Sequence, residues 1–163
     1  MLNFVFSYKP VIYAIKTLIG GMICWYGLLI FGVSNPIWAI ITVVIVSDPD
    51  LTTAISLARM RVINTIVGCT IGLLCMVFFG YGTMLCLLAM AFTVFLVTSI
   101  DRYPVNWRLA PVTVVILMNA GKDAVSRHEE IRLALMRAGE IGFGCVVALG
   151  LAYGVKRFGS KYL

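Results

Sequence analysis

Charged residues are scarce in this chain. Its 163 residues include seven Asp and Glu, thirteen Lys and Arg, and one His. With 12% charged residues, 61% hydrophobic residues and a mean hydropathy of +1.02, the chain has about half the charge that soluble domains carry. The composition therefore excludes an ordinary soluble domain and predicts one transmembrane module over residues 1–163.

Paired cysteines and catalytic motifs are also missing. The five cysteines are odd in number, lie inside apolar runs and form no C-x-x-C pair, which favours buried thiols over disulfides or a metal site. The sequence has no nucleophile and base at useful spacing, no metal-ligand cluster and no phosphate-binding glycine loop. We therefore expect neither an enzyme nor a cofactor. The basic pI of 9.2 comes without the basic and aromatic pattern of nucleic-acid binding.

Long apolar segments are what the chain does contain. Residues 11–33, 62–79, 83–100 and 139–155 are typical membrane spans, and two shorter apolar segments, 36–47 and 109–119, lie between them. Each short segment is followed by a mixed stretch that is compatible with a helix. Because a bilayer takes roughly 20 helical residues per crossing, the sequence predicts an all-α integral membrane protein with six transmembrane helices.

Basic residues favour one orientation of these helices, since short cytoplasmic loops collect Lys and Arg. With the N-terminus inside, nine of the thirteen basic residues fall on the cytoplasmic side and four on the other. The two sets are Lys9, Lys16, Arg59, Arg61, Arg102, Arg108, Lys156, Arg157 and Lys161, against Lys122, Arg127, Arg132 and Arg137. The sequence thus predicts that both termini are cytoplasmic.

The two short segments resemble each other. AIITVVIV at 39–46 and APVTVVIL at 110–117 are identical at five of eight positions. The same offset of 71 pairs an Asn, an Arg and a Gly: Asn35 with Asn106, Arg61 with Arg132, and Gly68 with Gly139. An offset of 76 instead pairs Arg61 with Arg137 and Gly68 with Gly144, so the partner of Arg61 stays open. Two three-helix repeats, about 10–80 and 82–157, are expected, and an odd number of spans per repeat makes them inverted.

Several motifs resemble a known family. They are P-x-W-A-x-I-T-V-x-I-V-x-x-P from Pro36 to Pro49, R-x-x-x-T-x-x-G-x-x-x-G from Arg61 to Gly72, Lys16 in IKTLIGG, and R-x-x-E-x-x-x-G from Arg137 to Gly144. Together they resemble the fusaric acid resistance / aromatic acid exporter family, whose plant relatives include the aluminium-activated malate transporters. The resemblance implies a six-helix module that moves organic anions, often aromatic carboxylates, in a bacterial inner membrane. Because this chain has one module, it also implies a homo-oligomer, with a dimer expected first.

Basic side chains near the membrane are the candidate anion-binding residues. Arg61 lies about 15 Å along a continuous helix, at the membrane entrance, and a guanidinium binds a carboxylate through two parallel hydrogen bonds. The alternative is that such side chains snorkel to the lipid headgroups. For Arg61 and Arg132 the two interpretations are level, and the resemblance favours a site at Arg61. Lys16 is also a candidate, although snorkelling is the stronger interpretation for Lys16, Arg59 and Arg108.

Uncharged polar residues complete the candidate transport site. They lie in the short segments or follow Arg61, and they are Trp38, Thr42, Asn64, Thr65 and Thr113. Their polar atoms can line a pore, and the ring of Trp38 can stack on an aromatic substrate. Alternatively, each Thr bonds to its own helix backbone and Trp38 lies at the membrane interface.

Glu140 is the one carboxylate with membrane-like sequence on both sides. It follows Arg137 by three residues, so an ion pair on one helix face is the ordinary expectation. The sharper hypothesis is that Glu140, with Arg137, couples transport to a proton gradient. The glycines of Gly68-x-x-x-Gly72 and Gly150-x-x-x-Gly154 predict close helix packing, inside the module or between protomers.

Two classes of function fit these features. The first is a transporter of organic anions, with efflux as the expected direction and an anion channel as a variant. The second is a non-transporting membrane subunit or assembly factor that serves a partner exporter. A polar path through the module would indicate transport, and a dry core with an exposed binding face would indicate the scaffold.

Overall fold

A computed structural model describes residues 8–48, 50–101, 106–121 and 127–159 of the chain. These residues form six helices and no strand: α1 (Tyr8–Ile30), α2 (Ile37–Val46), α3 (Leu51–Phe79), α4 (Thr83–Thr98), α5 (Leu109–Ala120) and α6 (Arg127–Gly159). The prediction of an all-α protein is confirmed for this part of the chain. Outside it lie Pro49, Arg102, Lys122 and Lys161, and the side chains of Lys9 and Arg127 are not described either.

Three of the six helices are long and apolar enough to cross a membrane. By length and composition these spans are Tyr13–Ile30, Leu51–Phe79 and Ile131–Arg157. The helices α2, α4 and α5 have 10, 16 and 12 residues, or about 15, 24 and 18 Å at 1.5 Å per residue. The sequence predicted a long span at 83–100, and α4 begins at the predicted residue but ends two residues earlier, at Thr98, with Ser99 as its C-cap.

Glycine and aspartate set the ends of two long helices. Gly32 and Gly80 have φ angles of +79° and +78°, a left-handed conformation that lets the chain leave α1 and α3 without the strain a side chain would cause. Asp50 accepts a hydrogen bond from the backbone N–H of Thr53 at 2.9 Å, which caps the start of α3. The capped start explains why α3 begins eleven residues before the apolar run at 62.

The helices form two compact units, and α3 and α6 contribute to both. The first unit comprises residues 1–57 and 143–163, and the second comprises residues 58–142. Each unit therefore combines residues from both predicted repeats. The repeat boundaries, about 10–80 and 82–157, stay a prediction.

In the first unit, α1 and α2 form an antiparallel pair. The Tyr13 hydroxyl donates to the carbonyl of Ser47, and the Lys16 ammonium donates to the carbonyl of Asp48 at 3.1 Å, so the first half of α1 holds the end of α2. Further along, Cys24 and Leu28 pack against Ala39 and Val43.

In the second unit the core is formed by Cys69, Met76, Ala89, Val114, Leu117, Met118 and Ala134.

The five cysteines are free thiols, and the prediction that they are buried is confirmed for three of them. Cys24, Cys69 and Cys145 are buried, and Cys75 and Cys86 are partly buried.

Candidate anion-binding site

Arg61, Asn64 and Thr65 form a buried polar face on α3 in the second unit. Spacings of three and four residues place them on one side of the helix, where they are 2%, 0% and 2% exposed. A snorkelling arginine exposes its charged end to water or headgroups, and Arg61 does not. The burial of Arg61 is therefore not that of a snorkelling anchor, and its role in transport stays a prediction.

Asn64 ties α3 to the turn that precedes α5. Its side-chain amide donates to the carbonyl of Met60 at 2.9 Å and to the carbonyl of Asn106 at 3.1 Å. Removing a buried hydrogen-bond partner leaves the other groups unsatisfied, which costs more than the bond itself contributes. Asn64 thus fixes the turn at Asn106 against α3.

The candidate threonines bond to their own helices. Thr42, Thr65 and Thr113 each donate their hydroxyl proton to the carbonyl four residues earlier, at 2.7, 2.7 and 2.8 Å. A hydroxyl that donates to the backbone offers a ligand only its lone pairs, whereas a carboxylate needs donors. These bonds match the alternative in which each threonine bonds to its own helix backbone and does not line a pore.

Two glycines of the long helices allow the short helices to pack closely against them. A Cβ atom on Gly68 would lie 2.6 Å from the carbonyl oxygen of Ala110 and 2.6 Å from Cβ of Thr113. A Cβ atom on Gly144 would lie 2.6 Å from the carbonyl oxygen of Ala39 and 2.9 Å from Cβ of Thr42. In the second unit α5 thus packs directly on α3, and in the first unit α2 packs directly on α6, through the same Ala-x-x-Thr face.

The predicted glycine motifs have different outcomes. Gly72 packs near Leu117, whose Cδ2 atom would lie 3.1 Å from an added Cβ, so the first motif is confirmed as a packing face. Added Cβ atoms on Gly150 and Gly154 would meet nothing within 4 Å. The second motif therefore does not pack within the described part of this chain.

The expected ion pair on α6 is present. A guanidinium nitrogen of Arg137 lies 3.1 Å and 3.3 Å from the two carboxylate oxygens of Glu140. Glu140 is 2% exposed, and the side chain of Arg137 is 23% exposed. A buried carboxylate is thus held three residues from a partly accessible cation.

The remaining candidates are divided between the units. Lys16 and the partly buried Trp38 belong to the first unit, and Arg132 belongs to the second. Lys16 is only 6% exposed and bonds to Asp48, which is not the conformation of a snorkelling anchor. Arg132 is exposed, as an anchor or a solvated side chain would be.

A comparison with protein families identifies the chain. The family model described as fusaric acid resistance protein-like matches residues 14–151, well over half of its length. The chain belongs to this family. It is therefore a membrane protein of a transporter family. Searches of curated proteins and of solved structures each gave no match.

Within this family member, α3 and α6 bury equivalent positions at an offset of 76. From Ala58 to Met76, seven of the eight buried α3 residues have a buried counterpart on α6, and the eighth, Arg61, pairs with the partly buried Arg137. The buried pairs are Ala58–Ala134, Asn64–Glu140, Thr65–Ile141, Gly68–Gly144, Cys69–Cys145, Gly72–Ala148 and Met76–Ala152.

The short helices α2 and α5 correspond at the other offset. Five buried residues, Ala39, Thr42, Val43, Val46 and Ser47, each have a buried counterpart 71 positions later. Both offsets found in the sequence are therefore present, one for the short helices and one for the long helices. The residue that corresponds to Arg61 in burial is Arg137 and not Arg132.

Proposed function

We propose that this chain is an organic-anion transporter, with efflux as its direction and aromatic carboxylates as its first substrate class, and that Arg61 binds the anion. The proposal depends on one observation, the burial of Arg61 to 2% exposure on a 29-residue apolar helix. Burying a charge in a membrane span is costly, and such residues usually face a substrate pathway or a partner.

The chemistry of the guanidinium fits a carboxylate better than it fits a neutral solute. Its planar N–H groups form two parallel hydrogen bonds with the two oxygens of a carboxylate. Arg61 lies ten residues after the first residue of α3, or about 15 Å along the helix axis. An anion that enters the protein to this depth would meet the positively charged guanidinium of Arg61 on α3.

The packing of each short helix on a glycine of a long helix supports an inverted repeat with six crossings. Each unit contains one short helix whose Ala-x-x-Thr face lies on a glycine of a long helix. Short helices at corresponding positions of two halves are the arrangement that marks a transport site in inverted-repeat transporters. We assign the two repeats to alternating access, with both termini in the cytoplasm, an inner-membrane location and a homodimer as the assembly.

Glu140 and Arg137 supply a means of proton coupling. When Glu140 binds a proton it loses its negative charge, which weakens its ion pair with Arg137 and makes an anion beside that guanidinium less unfavourable. Release of the proton restores the ion pair and displaces the anion. Lys16 in the first unit is a second buried cation that an anion can meet.

Flux measurements in proteoliposomes test the proposal. Labelled aromatic and aliphatic carboxylates are compared for the wild type, Arg61→Gln and Arg61→Lys, with Arg59→Gln as the matched control because Arg59 is exposed on the same helix. We expect Arg61→Gln to abolish flux of the transported anion, Arg61→Lys to retain part of it, and Arg59→Gln to resemble the wild type.

The other outcomes are equally informative. Equal losses of flux in Arg59→Gln and Arg61→Gln would show that flux depends on the total positive charge and that Arg61 is not a specific binding residue. Flux that does not respond to a pH gradient would favour a channel. No flux of any anion from folded protein would leave the non-transporting subunit as the better function.

A further inference from the structure

An apolar groove runs between α4 and α5 in the second unit, and Arg61 is not among the residues that line it. Its volume is about 410 Å³, and it is open along one side. Met90 and Val94 of α4 and Val112, Val115 and Ile116 of α5 line it. Almost all of its lining atoms are apolar, so a small hydrophilic solute would lose its hydration there without gaining hydrogen bonds.

One end of this groove carries a positive charge. Pro111 of α5 and the two residues before α5, Trp107 and Arg108, complete the lining. The guanidinium carbon of Arg108 lies 5.3 Å from the centre of the Trp107 ring. This cation–π contact places the charge beside the groove, while Arg108 stays exposed. A groove of this volume with one cation at its end suits an elongated apolar molecule with an anionic head.

Arg108 is also the main donor that the end of the groove offers. The backbone N–H groups of Leu109 and Ala110 donate to the carbonyls of Asn106 and Trp107, both at 3.1 Å, and Pro111 has no N–H group. The first three residues of α5 therefore leave no backbone donor for an anion. Among the described residues that line the groove, Arg108 is the one with a positive charge for such a ligand.

We infer that this groove binds an anionic phospholipid, with an acyl chain between α4 and α5 and the headgroup phosphate at Arg108. Guanidinium groups bind phosphate oxygens through charge-assisted hydrogen bonds, and tryptophan is enriched at the level of the headgroups. The predicted orientation places Arg108 at the cytoplasmic leaflet, where anionic lipids attract basic residues. The inference goes beyond the proposed transport function and does not depend on it.

Quenching of Trp107 fluorescence by brominated lipids tests the inference. Trp25 and Trp38 are replaced by Phe, so that Trp107 is the one remaining tryptophan of the three. The protein is reconstituted in phosphatidylcholine that contains a minor fraction of either brominated phosphatidylglycerol or brominated phosphatidylcholine. We expect several-fold stronger quenching by the anionic lipid at equal fractions, and Arg108→Gln should reduce it to the level of the neutral lipid.

Two further variants separate the groove from surface charge. Arg59→Gln removes an exposed arginine and should leave the preference for the anionic lipid unchanged. Val115→Phe fills the groove and keeps Arg108, so it should weaken quenching by the anionic lipid. Matching gel-filtration profiles and thermal unfolding curves would establish that each variant is folded.

Several results would overturn the inference. Equal quenching by the two lipids, or a preference that survives Arg108→Gln, would exclude a specific lipid site. Displacement of the lipid by glycerol phosphate at similar concentration would show that the apolar groove contributes nothing. Shielding of Trp107 from both lipids would show that protein covers the groove, with a second copy of the chain as the first candidate.

Discussion

Replacement of Gly144 by alanine tests how the short helix α2 is held in the first unit. The added Cβ would lie 2.6 Å from the carbonyl oxygen of Ala39. Ordinary contact begins at 3.4 Å, so the two helices must separate by about 0.8 Å at this point. The nearest atom belongs to the backbone of α2, and no change of rotamer can move it away.

The expected cost follows from two opposing effects. Overpacking a close-packed contact costs about 1–3 kcal/mol, and a backbone clash belongs at the upper end of that range. Alanine has a helix propensity about 1 kcal/mol more favourable than glycine. We therefore expect Gly144→Ala to lower the free energy of unfolding by about 2 kcal/mol. Gly142→Ala is the matched control, because its Cβ would meet nothing within 4 Å and only the propensity gain remains.

The assay is reversible unfolding in mixed micelles, followed by helical circular dichroism. Thr42→Ala should not rescue Gly144→Ala, since the carbonyl of Ala39 stays in place. Gly20→Ala differs, because its Cβ would meet side-chain atoms, Cγ1 of Val43 at 2.8 Å and Cδ1 of Leu151 at 2.9 Å. A double-mutant cycle with Val43→Ala should therefore show rescue. Equal stability of Gly144→Ala and Gly142→Ala would refute the packing of α2 on α6.

Three other substitutions test separate features. The backbone N–H of Thr53 donates to Asp50, and so does the Thr53 hydroxyl, which holds the pKa of Asp50 below its usual value. The stabilising carboxylate is present at neutral pH and is lost as pH falls through that lowered pKa. Asp50→Ala should thus lower the unfolding midpoint at pH 7, and the difference from the wild type should disappear in acid. Asn64→Ala should lower the free energy of unfolding by about 1–3 kcal/mol, measured against Thr70→Ala, which removes an exposed hydroxyl. Glu140→Gln should abolish the response of flux to a pH gradient while substrate exchange continues, and a preserved response would exclude Glu140 as the coupling residue.

The helices were largely predictable from the sequence, because apolar runs and polar ends are local features. The two short segments, predicted at 36–47 and 109–119, correspond to α2 (Ile37–Val46) and α5 (Leu109–Ala120). The helices α3 and α6 begin well before their apolar runs, since Asp50 caps α3 before residue 62 and α6 begins at Arg127. Helix bounds depend on caps and turns as well as on hydropathy.

The environment of the basic residues was not predictable in the same way. Arg61 and Arg132 both follow a short apolar segment, yet Arg61 is buried and Arg132 is exposed. Lys16 was expected to snorkel, and it is buried because the end of α2 supplies a carbonyl acceptor 32 residues away. Burial depends on contacts between distant parts of the chain, and no local pattern in the sequence distinguishes these three side chains.

The two offsets have a physical origin in the connection between the short and long helices. The last residue of α2, Val46, corresponds to residue 117, but α5 ends three residues later at Ala120. Four residues then separate α2 from α3, whereas six separate α5 from α6. The longer helix and the longer connection together account for the difference between 71 and 76, which is why no single offset aligned both parts of the sequence.

The correspondence between α3 and α6 allows Arg61 to be compared with Arg137. Arg61 and Arg137 occupy equivalent positions on α3 and α6, and each has a buried polar residue three positions later. That residue is Asn64 on α3 and Glu140 on α6, an amide in one place and a carboxylate in the other. Arg137 pairs with the Glu140 carboxylate on its own helix, and the amide of Asn64 at the corresponding position is uncharged. Equivalent positions in the fold thus differ in the charge of the residue that follows the arginine, and anion binding at Arg61 and proton coupling at Arg137 and Glu140 stay part of the proposal.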